Sequence, residues 1–278
     1  MKAIYQKQTR VGVLLSLVLA CSAVAQDSML IVTNIAQLQA INTSNLSATN
    51  ATMVLGYWKA GDRGGGVFHW QVGDTTDVPD GGRFLTSSNA LSPSGRWQRE
   101  FIGETANVKM WGAKGNMGDP HTPSNVAAAA DDWLPIQTAL TNVPTAELLF
   151  PAGFYKVTNT LVSDLFRLKI RGESARMTRL VMPLGITKDI FRTKIADAAI
   201  AANNGTATDE ENIRIEDITF YFATASGTYT QSDHNTNNAG LVICNPEEGT
   251  TIRNVGTAGG AYGIRCFWGG VGVSCGFP

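Results

Sequence analysis

The chain has 278 residues, with 22 basic and 23 acidic side chains and a net charge of −1. That balance excludes the basic footprint of a nucleic-acid-binding protein. It also excludes capture of a polyanion by overall charge, so an acidic polysaccharide has to be held by local Arg and Lys side chains or by a bridging cation.

The first segment reads as a targeting sequence. Lys2, Lys7 and Arg10 precede the apolar run Val11 to Ala20, and Ala23-Val24-Ala25 offers a small-residue cleavage site before Gln26. The run is too short to span a bilayer and fits a secretory signal peptide over residues 1–25, which places the protein outside the cytoplasm, secreted or periplasmic. The rival is a lipoprotein signal ending at Cys21, for which Leu19 is a poor residue. Cleavage removes three basic residues and leaves 19 basic against 23 acidic, a net charge of −4. No other stretch is long and apolar enough to cross a membrane. Cys244, Cys266 and Cys275 then remain, at spacings that match no zinc motif.

Residues 26–104 form a small β module. Strands are expected at Met29 to Val32, Met53 to Trp58, Gly66 to Val72 and Arg83 to Leu85, with a short helix carrying Ile35, Leu38 and Ile41, and Gly95 to Arg99 closes the module. Gly61-Asp62-Arg63-Gly64-Gly65 and Asp80-Gly81-Gly82 are turn signals. The first of these looks like a phosphate-cradling loop, but no Lys-Ser/Thr follows it and strands flank it on both sides. It reads as a hairpin turn. His69 falls on the polar face of its strand.

The stretch from Asn107 to Leu180 organises the rest. It begins with an expected strand, Val108 to Trp111, then the turn Gly112-Ala113-Lys114-Gly115 and a loop carrying His121. A helix follows Asp131-Asp132, a pair that reads as a helix cap rather than as paired catalytic carboxylates. Pro135 fits the first turn. Trp133, Ile136 and Leu140 give that helix one apolar face, suited to covering the open first coil of a solenoid. Then come Leu148-Leu149-Phe150, the turn Pro151-Ala152-Gly153, the strand Phe154 to Val157 and a further strand at Leu168 to Ile170. The residues Val108, Trp111, Gly112, Ala113, Lys114, Gly115, Asp131, Asp132, Ile136, Gln137 and Leu140, followed by Phe150, Pro151, Gly153, Tyr155, Val157 and Leu161, resemble the opening of the pectate-lyase superfamily. That superfamily includes rhamnogalacturonases, polygalacturonase-like hydrolases and phage tailspikes. The segment from Leu55 to Trp97, with its glycine-rich turns, resembles the small β module preceding many bacterial and phage members.

The resemblance implies an all-β chain: a right-handed parallel β-helix over residues 105–278, with an N-terminal capping helix and the small module before it. The residues beyond Ile170 support a repeat of their own. Ile215 and Ile252 sit in equivalent bends, an offset of 37, and Gly240 aligns with Gly263, an offset of 23. The excess falls in the polar loop Tyr221 to Asn238, and Asp217 and Asn254 occupy equivalent corners able to stack as a polar ladder. Ala196 to Asn212 reads as a surface excursion, with a short helical turn over Ala196 to Ala202 as the alternative. The apolar tail from Phe267 to Phe277 carries no cap, from which a C-terminally incomplete solenoid is expected.

For function, the resemblance implies a polysaccharide, uronate-containing where the reaction is that of a lyase. Three classes stay open, with a pectate-lyase-like polysaccharide lyase first and a polygalacturonase- or rhamnogalacturonase-type hydrolase and a glycan-binding adhesin as alternatives. A lyase needs a base and a cation or Arg to stabilise an enolate, calcium being the cation such enzymes use. A hydrolase needs two carboxyls about the glycosidic bond. A tailspike-like adhesin binds without cleaving. Within the long loop, Asp233 and His234 are the candidate catalytic side chains and Tyr229 the candidate sugar-stacking ring. A solvated loop is the plainer reading of all three.

Overall fold

The computed structural model describes residues 29–46, 50–103, 105–163, 168–202, 212–224, 238–244, 246, 249–268 and 273–277. The module contains β1 (Leu30–Val32), α1 (Ile35–Gln39), β2 (Ala51–Val54), β3 (Gly66–Val72), β4 (Phe84–Leu85) and β5 (Gly95–Arg99). Its sheet has the order β1-β2-β3-β5-β4. Alternation in β3 and β5 puts Phe68, Trp70 and Trp97 on the inner face with Leu38 of α1, and these side chains form a core of their own. The expected second strand stops at Val54. Beyond it, Asp62 turns the chain by accepting the amides of Tyr57, Trp58, Lys59 and Gly64.

The next segments are β6 (Thr105–Asn107), a 3₁₀ turn (Val108–Trp111), α2 (Pro123–Ala128) and α3 (Trp133–Asn142). Val108 to Trp111 is therefore not a strand. Asn107 accepts the Lys109 amide through its side chain, which starts the turn. Gly112 ends it in the left-handed region at φ 94°, with the Tyr57 ring where a Cβ would lie.

From here the chain winds through three sheets in turn. The first coil supplies β7 (Glu147–Phe150), β8 (Gly153–Lys156) and β9 (Leu161–Ser163). The second supplies β10 (Lys169–Gly172), β11 (Thr178–Met182) and β12 (Phe191–Thr193), followed by α4 (Lys194–Ala202). The third supplies β13 (Arg214–Glu216), β14 (Thr219–Phe222) and β15 (Ala239–Cys244), and the fourth β16 (Thr251–Arg253), β17 (Gly256–Ala258) and β18 (Tyr262–Trp268). Every pairing between successive coils is parallel. This is a parallel β-helix. A last strand, β19 (Val273–Phe277), departs from it by pairing antiparallel with β18.

Register explains the core. Leu148, Ile170, Ile215 and Ile252 stack in one column, and Leu161, Phe191, Leu241 and Ile264 in another. All belong to one apolar cluster or pack against it. A fully buried side chain of this size contributes about 1.5–3 kcal/mol. The corners stack too: Asp217 and Asn254 both adopt left-handed backbone, φ 57° and 51°, and the Asn254 Nδ2 donates to Asp217 Oδ1 at 2.7 Å.

Two expectations change. Residues 194–202 are not a surface loop but the helix α4, whose Ala196 packs against Ala239 and Val242. His121 is not simply loop surface. Its ring meets Tyr221 edge-on, with Nδ1 2.8 Å from the phenol oxygen.

The module and the β-helix are joined by polar bonds. Trp58 Nε1 donates to the Gly112 carbonyl at 2.9 Å, Trp111 Nε1 to Asp80 Oδ2 at 3.2 Å, and Arg63 pairs with Glu173. Arg99 sits at the centre of this joint, buried, donating to the carbonyls of Gly64, Gly65, Gly82 and Met110.

Candidate functional site

The sequence-based candidates Tyr229, Asp233 and His234 lie outside the described residues, as do residues 1–28 with the signal peptide and Cys21. The adjacent pair Asp131-Asp132 has divided roles. Asp131 Oδ1 accepts the Trp133 amide at 3.1 Å and so caps α3, and its other oxygen takes the Thr158 hydroxyl. Asp132 is buried and makes no cap bond. Its oxygens accept the amides of Lys114 at 2.7 Å and Gly115 at 2.9 Å. Burial pushes its carboxyl up to about 6 against the pull of those two amides. The bonds of both carboxylates thus hold local backbone and the Thr158 hydroxyl.

A site does form where α3 and α4 flank the sheet made by β9 and β12. The groove there has a volume of about 450 Å³ and is lined by Trp133, Gln137, Asn159, Lys188, Arg192 and Asp197, among others. Each side chain has a structural reason for its position. Gln137 projects from α3 to β9, where its Nε2 donates to the Val162 carbonyl at 2.8 Å and its Oε1 accepts the Val162 amide at 2.9 Å. One side chain thus satisfies a residue of the strand at the end of its sheet. Trp133 Nε1 donates to the Thr160 carbonyl at 3.0 Å, which fixes the ring beside the groove. Asn159 and Lys188 occupy the corners before β9 and β12, and Lys188 Nζ donates to Asn159 Oδ1 at 2.7 Å.

Arg192 points outward from β12 between two carboxylates. Its Nε donates to Asp189 Oδ2 at 2.7 Å and its NH1 to Asp197 Oδ1 at 2.9 Å. Burial opposes its charge, but Asp197 and Asp189 outweigh burial and hold its pKa above the ordinary value. The second oxygen of Asp189 accepts the Ala239 amide at 2.6 Å. Lys188 and Arg192 are therefore balanced by Asp189 and Asp197, and the groove is close to neutral. An indole, two side-chain amides, an ammonium, a guanidinium and a partly exposed carboxylate can bind a ring that is apolar on one face and hydroxylated at its edge. Both carboxylates are tied to Arg192, which leaves neither set to shuttle a proton.

The outer face of β7, β10, β13 and β16 carries a second polar array. Glu147 pairs with Arg171 and Lys169, and Glu216 with Lys169 and Arg253. The Lys169 ammonium hydrogen-bonded to Glu216 holds that carboxyl below the usual range. These charges satisfy one another across coils. Among the described residues no group of three or more His, Cys, Asp or Glu side chains converges as a metal site, so calcium has no such donor set there. No described helix is long and apolar enough to cross a membrane.

The groove residues Asn159, Lys188, Arg192 and Asp197 were missed by sequence reasoning. A signal existed: Asn159-Thr160 and Asp189-Ile190 precede strands that pair Leu161 with Phe191, an offset of 30.

Comparison with known proteins agrees with this architecture. Residues 31–102 match the family described as the phage tail protein small four-stranded beta-sheet domain. No curated protein matches the chain in sequence. In structure, the chain is similar to the enzymatically active domain of bacteriophage CBA120 tailspike protein 2, with 15% identity over 87% of this chain and 36% of that one, at a TM-score of 0.50. It is also similar to the tailspike protein of Acinetobacter phage vB_ApiP_P1, with 16% identity over 88% of this chain and 39% of that one, at a TM-score of 0.51. At that identity the likeness is one of fold, and the chain spans less than two fifths of either tailspike's length.

Proposed function

We propose that the chain engages polysaccharide along the flank of its parallel β-helix, as a tailspike-like glycan-binding protein. The groove between α3 and α4 carries the reading: it offers an indole, amides and balanced charges, and both of its carboxylates are hydrogen-bonded to Arg192. The phage-tail-type module at residues 31–102 ahead of a parallel β-helix supports the same reading. In it, α3 serves as the cap of the first coil.

Cleavage is the second reading. It is favoured by the resemblance of the Val108 to Leu161 stretch to the pectate-lyase superfamily, lyases first and polygalacturonase or rhamnogalacturonase-type hydrolases after them. Its groups are Asp233 and His234 with Tyr229 as a stacking ring, in the segment 225–237 between β14 and β15. Export through residues 1–25 belongs to both readings.

A panel of pectic, alginate-like and neutral polysaccharides separates them. Binding without products supports the adhesin. Unsaturated products absorbing in the near ultraviolet mean a lyase, and new reducing ends without that absorbance mean a hydrolase. Neither binding nor products on any member overturns the proposal.

A further inference from the structure

A crevice of about 520 Å³ opens where the module meets the β-helix, within the roughly 300–1,000 Å³ usual for small-ligand clefts. Its walls include His69, Arg83, Gln98, Arg99 and Glu100 of the module and Thr145 beyond α3. Strand pairing brings these side chains together. Gln98 of β5 lies opposite His69 of β3 on one side and Phe84 of β4 on the other. Arg83 immediately precedes β4, and its guanidinium lies over the Phe84 ring at 4.6 Å.

The polar groups of this crevice are unevenly paired. Glu100 is 3.3 Å from His69 Nε2. Arg83 has no hydrogen bond or ion pair from its guanidinium among the described residues, although it lines the cleft. Arg99 is buried and spends its donors on four backbone carbonyls, with no carboxylate in an ion pair with it. Burial pulls its pKa down to about 9 against the opposing pull of Tyr57 and Asp80. Its guanidinium lies over the Phe68 ring at 4.4 Å on the inner face, so Arg83 is the guanidinium of the two with donors left for the crevice. Arg83 acts on Asp77 through its charge without bonding to it, and a planar guanidinium held on an aromatic ring with its donors unused is a fork for an oxyanion.

We propose that this crevice is a binding site for a small organic oxyanion, a carboxylate or a phosphate, gripped by Arg83 and assisted by Gln98 and His69. The site is separate from the α3–α4 groove and stands or falls independently of it. The affinity falls as salt is added.

The test is calorimetric titration of the full chain with glucuronate, glucose and inorganic phosphate in turn. One or both anions bind and glucose does not. Glucuronate alone assigns a carboxylate, phosphate alone a phosphoryl group, and both together the shared oxyanion chemistry. Arg83→Gln weakens anion binding roughly tenfold, as expected on losing a charge-assisted hydrogen bond. Gln98→Leu on the neighbouring strand weakens it in the same direction, and gives a second readout should the first variant misfold. Lys59→Ala, which removes an exposed cation outside the crevice, leaves the affinity unchanged. No anion binding, equal binding of glucose, or wild-type affinity in both folded variants overturns the proposal.

Discussion

Asp131 and Asp132 are neighbours with different environments. Asp131 is exposed and caps a helix, while Asp132 is buried under two backbone amides. The folded pKa of Asp132, about 6, lies above its ordinary value of 3.8. The folded state therefore binds this proton more tightly than the unfolded chain. Its contribution to stability is full below the unfolded value and is lost as pH rises through about 6, on the order of 3 kcal/mol. Asp62, Glu173 and Glu216 have depressed values and act oppositely, losing their contribution as pH falls through the acid range. The wild-type melting temperature should therefore rise as pH is lowered from about 7 to 5. Asp132→Asn should flatten that slope, and an unchanged slope in the variant would exclude Asp132 as its source. The corner residues give a second prediction. Asn254→Val, which loses both the left-handed backbone and the bond to Asp217, should cost about 1–3 kcal/mol in chemical denaturation. Asn254→Gly keeps the backbone and should cost less. Asp217 and Asn254 were legible in the sequence because their strands repeat at an offset of 37, which the pairing of Ile215 with Ile252 reproduces. The burial of Asp132 was not, because its amide partners lie 17 and 18 residues earlier, in the turn before a long loop.

Among the elements, α3 shows how a helix can finish a sheet. Ile136, Ala139 and Leu140 bury its apolar face against the core, and Gln137 takes the place of a missing neighbouring strand for Val162. Helical spacing made that face readable. Gln137 was visible as part of a familiar pattern, but its bonds were not, since nothing local in the sequence joins it to a residue 25 positions on. Gln137→Leu keeps the bulk and the helix but leaves the amide and carbonyl of Val162 without partners. It should destabilise by about 1–3 kcal/mol, with faster hydrogen exchange at Val162. Wild-type exchange there would show that water replaces the side chain at no cost. The strand expected at Val108 to Trp111 failed because apolar alternation there competes with a side-chain-started turn between Asn107 and Gly112. α4 was read as a loop because its alanines carry little apolar signal. Tertiary packing of Ala196 under Ala239 and Val242 supplies it.

Across the whole molecule, the module and the β-helix share Arg99, whose donors reach carbonyls on both sides of the joint. Arg99→Ala should split one calorimetric unfolding transition into two, and a single transition at an unchanged temperature would show that the joint rests on other contacts. The stacked coils and their 37- and 23-residue offsets were legible because register in a parallel stack repeats directly in sequence. The groove was not, because its residues come from the corners of two coils and from two helices that only the winding brings side by side. Export is tested by the mass of the processed chain, expected to begin at Gln26, whereas an acylated Cys21 would mean a lipoprotein. The central claim, that polysaccharide lies in the α3–α4 groove, is tested most directly by hydrogen exchange with and without a polysaccharide selected from the binding panel. The account predicts new protection at residues 133–137, 159–162 and 188–197. Protection confined to residues 225–237, or none at the groove while the polysaccharide is bound, would contradict it.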